Sequence, residues 1–100
     1  MSDGKKYDSG KDRWDLLNFE ELVDVVKVLT DGAVVYGDDN WMRVKNPRRR
    51  YFAALMRHVA AWKAGEVTDK KSSHPALAHA VCCALFLMWF DKRGGKDGKK

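Results

Sequence analysis

From Leu16 to Val35 apolar side chains recur at Leu22, Val25, Val26, Leu29 and Ala33, while Glu20, Asp24, Lys27 and Asp31 keep to the opposite stripe. That period predicts an amphipathic helix. Gly32, and then the run Tyr36-Gly37-Asp38-Asp39-Asn40, is expected to end it, since Gly and Asn tolerate the left-handed backbone that helix ends use. After a loop through Pro47 the helical period resumes from Arg48 to Ala64, with Phe52, Leu55, Met56, Val59 and Trp62 as its apolar set. The polar stretch GEVTDKKSS reads as a turn, and Ser73 or His74 before Pro75 predicts an N-cap with proline in the first helical turn. The third helix, Pro75 to Phe90, is apolar on every face apart from His79, so it is expected to be buried. With no hairpin signals, Val34-Val35-Tyr36 and Val44 are too short to build a sheet, and the fold class is all-α.

One hundred residues suit one domain, read here as residues 1–91 with a tail from 92 to 100. The net charge of +5 is uneven: DKRGGKDGKK carries +3 of it and has no apolar residue, so the tail is expected to be disordered. The body is then only mildly basic, and nucleic acid is not expected as the partner. Adjacent Cys82 and Cys83 cannot form an ordinary disulfide within a helix and read as buried thiols of a reducing compartment. MSDGKKYDSGKDRW has no apolar signal region, which points to the cytoplasm. The apolar third helix is shorter than the roughly 20 residues of a membrane span. Three helices rarely cover a helix that is apolar all round, so a homodimer or higher homo-oligomer using residues 75–90 is expected.

The chemistry-bearing residues exclude several classes. Gly10-Lys11 follows Gly4 with five residues between and Asp12 after, so it is not a phosphate-binding Walker loop, which needs four and then a hydroxyl. There is no zinc spacing, nucleophile elbow or dinucleotide loop. Glu20, Glu21 and Asp24 lie within about one helical turn, and oxygen donors of this kind suit magnesium; an ordinary solvated helix face is the competing account. Glu66 and Asp69 form a second carboxylate pair in the polar turn, with surface pairing to Lys70 and Lys71 as the competing account. His79, in an apolar helix, needs a partner, either an acid or metal or simply a backbone carbonyl; His58 is the other histidine considered with it. Arg50 and Arg57 share a stripe and, with Lys11 and Arg13, could hold phosphates. Three arginines at 48–50 oppose the helix dipole, which suggests an anion or acid nearby. Tyr36 and Trp41 are candidates for stacking on a base, core packing being the commoner use of aromatics.

Six spaced motifs occur in order: K-Y-D-x-G-K-x-R-W-D-L-L at Lys6–Leu17, V-L-T-x-G-A at Val28–Ala33, Y-G-D-x-N-W at Tyr36–Trp41, R-Y-F-A-A-L-x-R-H at Arg50–His58, G-E-x-x-D at Gly65–Asp69 and L-A-H at Leu77–His79. In these the chain resembles the phage and prophage dATP/dGTP diphosphohydrolase family. The resemblance implies an all-α fold of the MazG-like kind, acting on purine deoxynucleoside triphosphates with magnesium, or manganese in its place, to release pyrophosphate and a monophosphate. It also implies metal binding by Glu20, Glu21, Asp24, Glu66 and Asp69, catalysis by Glu66, Asp69, His79 and His58, and phosphate contacts from Lys11, Arg13, Arg50 and Arg57. The expected setting is the cytoplasm of an infected or lysogenic bacterium. The chain departs from the family's D-P-E-S-G-x-x-H-L-A-H pattern, notably where Lys71 replaces an acid and Ala76 replaces the first histidine. These departures favour, as the second reading, a protein that binds a nucleotide without hydrolysing it. A nucleic-acid accessory protein is the third.

Overall fold

In the computed structural model, which describes residues 4–94, Asn18 opens the first helix with extended backbone, its side-chain oxygen accepting the Glu20 amide at 3.4 Å. Helix α1 then spans Phe19–Tyr36. Leu16, expected inside it, belongs instead to a short 3-10 turn, Trp14–Leu16, because the cap comes only at Asn18. Gly32 does not end α1. The helix runs through it and stops at Gly37, whose φ of 95° suits glycine and whose amide donates to Ala33 O at 2.8 Å.

A second 3-10 turn, Asn40–Arg43, leads to α2, Pro47–Lys63. Pro47 sits in the first turn, where a missing amide costs nothing, and it is fully buried. Helix α3 spans Ala76–Lys92, and Pro75 is its cap rather than its first residue. It takes no side-chain cap; the Ala76 amide donates to Val67 O at 2.8 Å instead. Helix α3 includes Lys92, and the Arg93 guanidinium lies 4.3 Å over the Trp89 ring, so the first residues of the expected tail are described. The rest of that tail lies outside the described residues.

Helix α3 is the centre, with α1 and α2 packed against it and hardly against each other. Arg48 near Asp91 (3.5 Å), Tyr51 against Phe86 and His58 against His79 make α2 and α3 antiparallel and fix their register. Val25 of α1 meets Ala78 and Cys82 of α3, and Leu22, Val28, Leu29 and Phe86 close around them. The Cys82 thiol donates to Val25 O at 3.6 Å. Small side chains at Ala76, Ala78, Ala80 and Cys83 let the flanking helices approach closely, and all four are buried.

The expectation that α3 is buried on every face does not hold within one chain. Leu77, Val81, Leu85 and Met88 fall on one stripe of it and remain 39–55 % exposed. Two neighbours cover only part of a helix circumference. Phe52, Met56 and Trp62, expected in the apolar set of α2, are exposed as well. Residues 4–18 are exposed along their whole length, and among the described residues no helix is long and apolar enough to cross a membrane.

Candidate functional site

The turn between α2 and α3 builds the first wall of the site. Gly65 adopts φ 104° after α2, and the Asp69 amide then donates to His74 O at 2.8 Å, while a single antiparallel bridge joins Thr68 to Pro75. Inside this narrow loop the Asp69 carboxylate accepts the Ser72 amide at 2.9 Å, and Asp69 O accepts the Ser73 amide at 2.8 Å. Ser73 takes the left-handed conformation, φ 67°, which reverses the chain so that His74 returns toward the helices.

His79 lies one turn into α3, facing this loop. Its Nε2 is 2.6 Å from Ser72 Oγ and 3.9 Å from Asp69 Oδ2, so the hydroxyl is its hydrogen-bond partner and the carboxylate its near neighbour. Its ring stacks on His58 of α2 at 4.8 Å, with 16° between the planes. His74 Nε2 pairs with Asp31 Oδ2 of α1 at 2.6 Å, and this contact ties the loop to the first helix.

Burial pushes His79 and His58 below the usual histidine range. His79 adds to the depression of His58 and His74 to that of His79, while the Asp69 charge pulls both rings back up. The Asp69 carboxyl is held below its ordinary value chiefly by the Ser72 amide. At neutral pH the site therefore presents two stacked neutral imidazoles beside a carboxylate.

His58, Ser72, His74 and His79 form one end of a cleft of about 970 Å³ between α1 and α2, floored by α3, with Asp69 behind them. The other end is aromatic. Trp41 stacks flat on Phe86 at 4.4 Å and meets Trp89 edge-on at 5.1 Å, and Tyr51 meets Phe86 at 5.0 Å. Tyr36 and Arg50 also line the cleft. Its charged lining is otherwise acidic, from Asp31, Asp38 and Asp39.

Of the residues singled out from sequence, Asp69, His58 and His79 come together, and Arg50, Tyr36 and Trp41 line the same cleft. Trp41 has one ring face taken by Phe86, which leaves Tyr36 the freer aromatic. Arg57 is exposed, close enough for its charge to act on His58 and Cys83. Lys11 and Arg13 stay in the exposed opening segment, with Arg13 paired to Asp15 at 2.7 Å. Glu20 and Glu21 are exposed in the first turn of α1, Asp24 is half-buried, Glu66 is exposed, and none of the four lines the cleft.

The metal expectation meets a plain geometric difficulty. Among the described residues no group of three or more His, Cys, Asp or Glu side chains is placed to hold a metal ion. The helix carboxylates at 20, 21 and 24 and the loop carboxylates at 66 and 69 do not converge on one point. Sequence reading missed Asp31, Ser72 and His74. His74 carried the only available signal, a histidine five positions before His79 beside the position where Ala76 departs from the family pattern. Ala76 itself is buried, 1 % exposed, at the start of α3.

Comparison with known proteins accords with the motifs. The family described as "dATP/dGTP diphosphohydrolase, N-terminal" matches residues 1–99. A protein of Salmonella phage PMBT28 named dATP/dGTP diphosphohydrolase is 33 % identical over 87 residues, which cover 86 % of this chain and 29 % of that protein. The chain thus spans less than a third of the length of this relative. No solved structure matches it.

Proposed function

The chain belongs to the family of dATP/dGTP diphosphohydrolase N-terminal domains, and from that premise we propose that its cleft binds a purine deoxynucleoside triphosphate and takes part in hydrolysing it to monophosphate and pyrophosphate. The observation that carries this reading is the two-ended cleft. Tyr51 and His58 stand seven residues apart on α2, about 10 Å along the helix, which matches the distance from a base to its phosphates. The aromatic end would take the base against Tyr36 and the exposed part of Trp41, with Arg50 at its edge. The imidazole end would receive the phosphates.

There His79 and His58, neutral near pH 7, suit acceptance of a proton from an attacking water, and Asp69 stabilises the imidazolium that forms. The site has little cationic charge of its own, Arg50 standing against Asp31, Asp38 and Asp39. A free polyanion is poorly matched to such a lining. The nucleotide is therefore proposed to enter as its magnesium complex, with the ion brought as part of the substrate. The proposed setting is the cytoplasm of a phage-infected or lysogenic bacterium, where the deoxynucleotide pool lies.

The lack of a three-ligand metal set among the described residues favours one second reading: a domain that binds the nucleotide and leaves hydrolysis to parts beyond it. One experiment separates the two. The 100-residue chain is incubated with dATP, dGTP, dCTP or dTTP and magnesium, and products are followed by phosphorus NMR. Pyrophosphate from the purine nucleotides, lost in His79→Gln, supports hydrolysis by this domain. Line broadening of purine nucleotides without product supports binding alone. Absence of both refutes the cleft as a nucleotide site.

A further inference from the structure

His74 is held in one place by the turn that carries it. Ser73, just before it, takes a left-handed φ of 67°, a conformation that strains a residue with a side chain and persists only where the surrounding structure enforces it. The backbone is pinned on both sides: the His74 amide donates to Ser72 Oγ at 3.1 Å, and His74 O accepts the Asp69 amide at 2.8 Å. The side chain is fixed separately, by the 2.6 Å contact of its Nε2 with Asp31 Oδ2 of α1. The sense of that contact follows from its chemistry. A carboxylate at neutral pH only accepts hydrogen bonds, so His74 Nε2 carries a proton whether the ring is neutral or charged. The hydroxyl that meets His79 can give or take a proton and sets no such constraint. In the neutral ring of His74 the lone pair is therefore on Nδ1, which makes no hydrogen bond among the described residues and is not sealed from solvent. His74 and Asp31 both line the imidazole end of the cleft, with the His74 and His79 rings 6.3 Å apart.

We propose that His74 is a further catalytic base of the cleft, accepting a proton on Nδ1, and that Asp31 is the positioning residue that holds its Nε2–H. The reaction has work for a second acceptor. A water that becomes an oxygen of the product monophosphate gives up both its protons near neutral pH, because a phosphate monoester has its second pKa at about 6. The water oxygen bonds to the α-phosphorus, the bond from that phosphorus to the bridging oxygen breaks, and its electron pair leaves with pyrophosphate. The stacked pair suits one of the two protons, and His74 Nδ1 takes the other. The imidazolium so formed lies against the Asp31 carboxylate, which offsets its charge and keeps the ring from turning.

The base role rests on the nucleotide reaction proposed above, whereas the pairing of Asp31 with His74 does not, so the two are measured separately. Long-range proton–nitrogen NMR on the nucleotide-free 100-residue chain at pH 8, with the His74 signals identified from His74→Gln, reads the protonated nitrogen directly. The expected result is a proton on Nε2 and none on Nδ1. With dGTP and magnesium, Asp31→Asn, which keeps the shape but not the charge, should lose roughly tenfold or more in kcat without a rise in KM. Asp31→Glu should restore part of that loss, and Asp31→Asn added to His74→Gln should cost little beyond His74→Gln alone. A wild-type His74 protonated on Nδ1 at pH 8, alone or on both nitrogens, overturns the assignment whatever the variants do. An active wild type whose Asp31→Asn form keeps or gains kcat shows Asp31 acting only as a repulsive charge in the lining and overturns the positioning role. An active wild type whose His74→Gln form keeps full kcat overturns the base. A wild type that releases no pyrophosphate defeats the nucleotide reaction and the base role with it, and the spectrum still decides the pairing.

Discussion

Replacing Asp69 by alanine removes the acceptor of the Ser72 amide and leaves that donor unpaired in a half-buried loop. A hydrogen bond to a charged group contributes about 1.5–3 kcal/mol. The Asp69 side chain keeps 26 % of its surface in solvent, so screening places the loss lower, at about 1–2 kcal/mol. For a domain of this size 1 kcal/mol moves the melting temperature by about 4–8 °C, so Asp69→Ala should melt about 4–15 °C below the wild type at pH 7. Asparagine retains an acceptor oxygen without the charge, and its loss should be roughly half as large.

The pH dependence gives the sharper check. Because the Asp69 carboxyl is held below its ordinary value of 3.8, the folded state surrenders its proton more readily than the unfolded chain. Its stabilising contribution is complete above the unfolded value and disappears as pH falls through the lower folded one. Urea midpoints of wild type and Asp69→Asn, followed by circular dichroism from pH 7 down to pH 3, should therefore converge in acid. A gap that stays constant across that range, or an Asp69→Ala protein that melts with the wild type, would refute the reasoning.

Two further outcomes follow from burial and from its absence. Burial pushes the Cys82 thiol up to about 11 and raises Cys83 as well, so an aromatic disulfide reagent at pH 8 should modify native protein far more slowly than protein in guanidinium; equal rates would contradict the packing of α3 against its neighbours. On the outer surface, Leu77, Val81, Leu85 and Met88 of α3 form an apolar stripe that stays 39–55 % exposed. No charged residue lies on α3 between Ala76 and Phe90, and the expected homodimer would cover this stripe. Sedimentation at micromolar concentration should show a dimer that Val81→Lys with Met88→Lys converts to monomer while helical content stays; a wild-type monomer would contradict the covered face.

The sequence by itself determined the local elements. Apolar spacing places α1 and α2, Gly37 and Pro47 punctuate the chain because their backbones favour those turns, and the absence of strand pairs leaves an all-helical domain. The ordered motifs likewise carried the family, since they depend on residue identity and order. What only the tertiary structure decided concerns groups distant along the chain. His58 and His79 become a stacked pair only because α2 and α3 run antiparallel in one register, and Asp31 reaches His74 only because α1 packs across α3 at Val25 and Cys82. The exposed stripe of α3 was equally invisible: periodicity reports how many faces of a helix are apolar, whereas how many are covered depends on how many neighbours the chain can bring against it. Ser72 gave no signal for a related reason. Its contacts with Asp69, His74 and His79 exist only once the turn has closed against α3, and no spacing rule encodes that convergence.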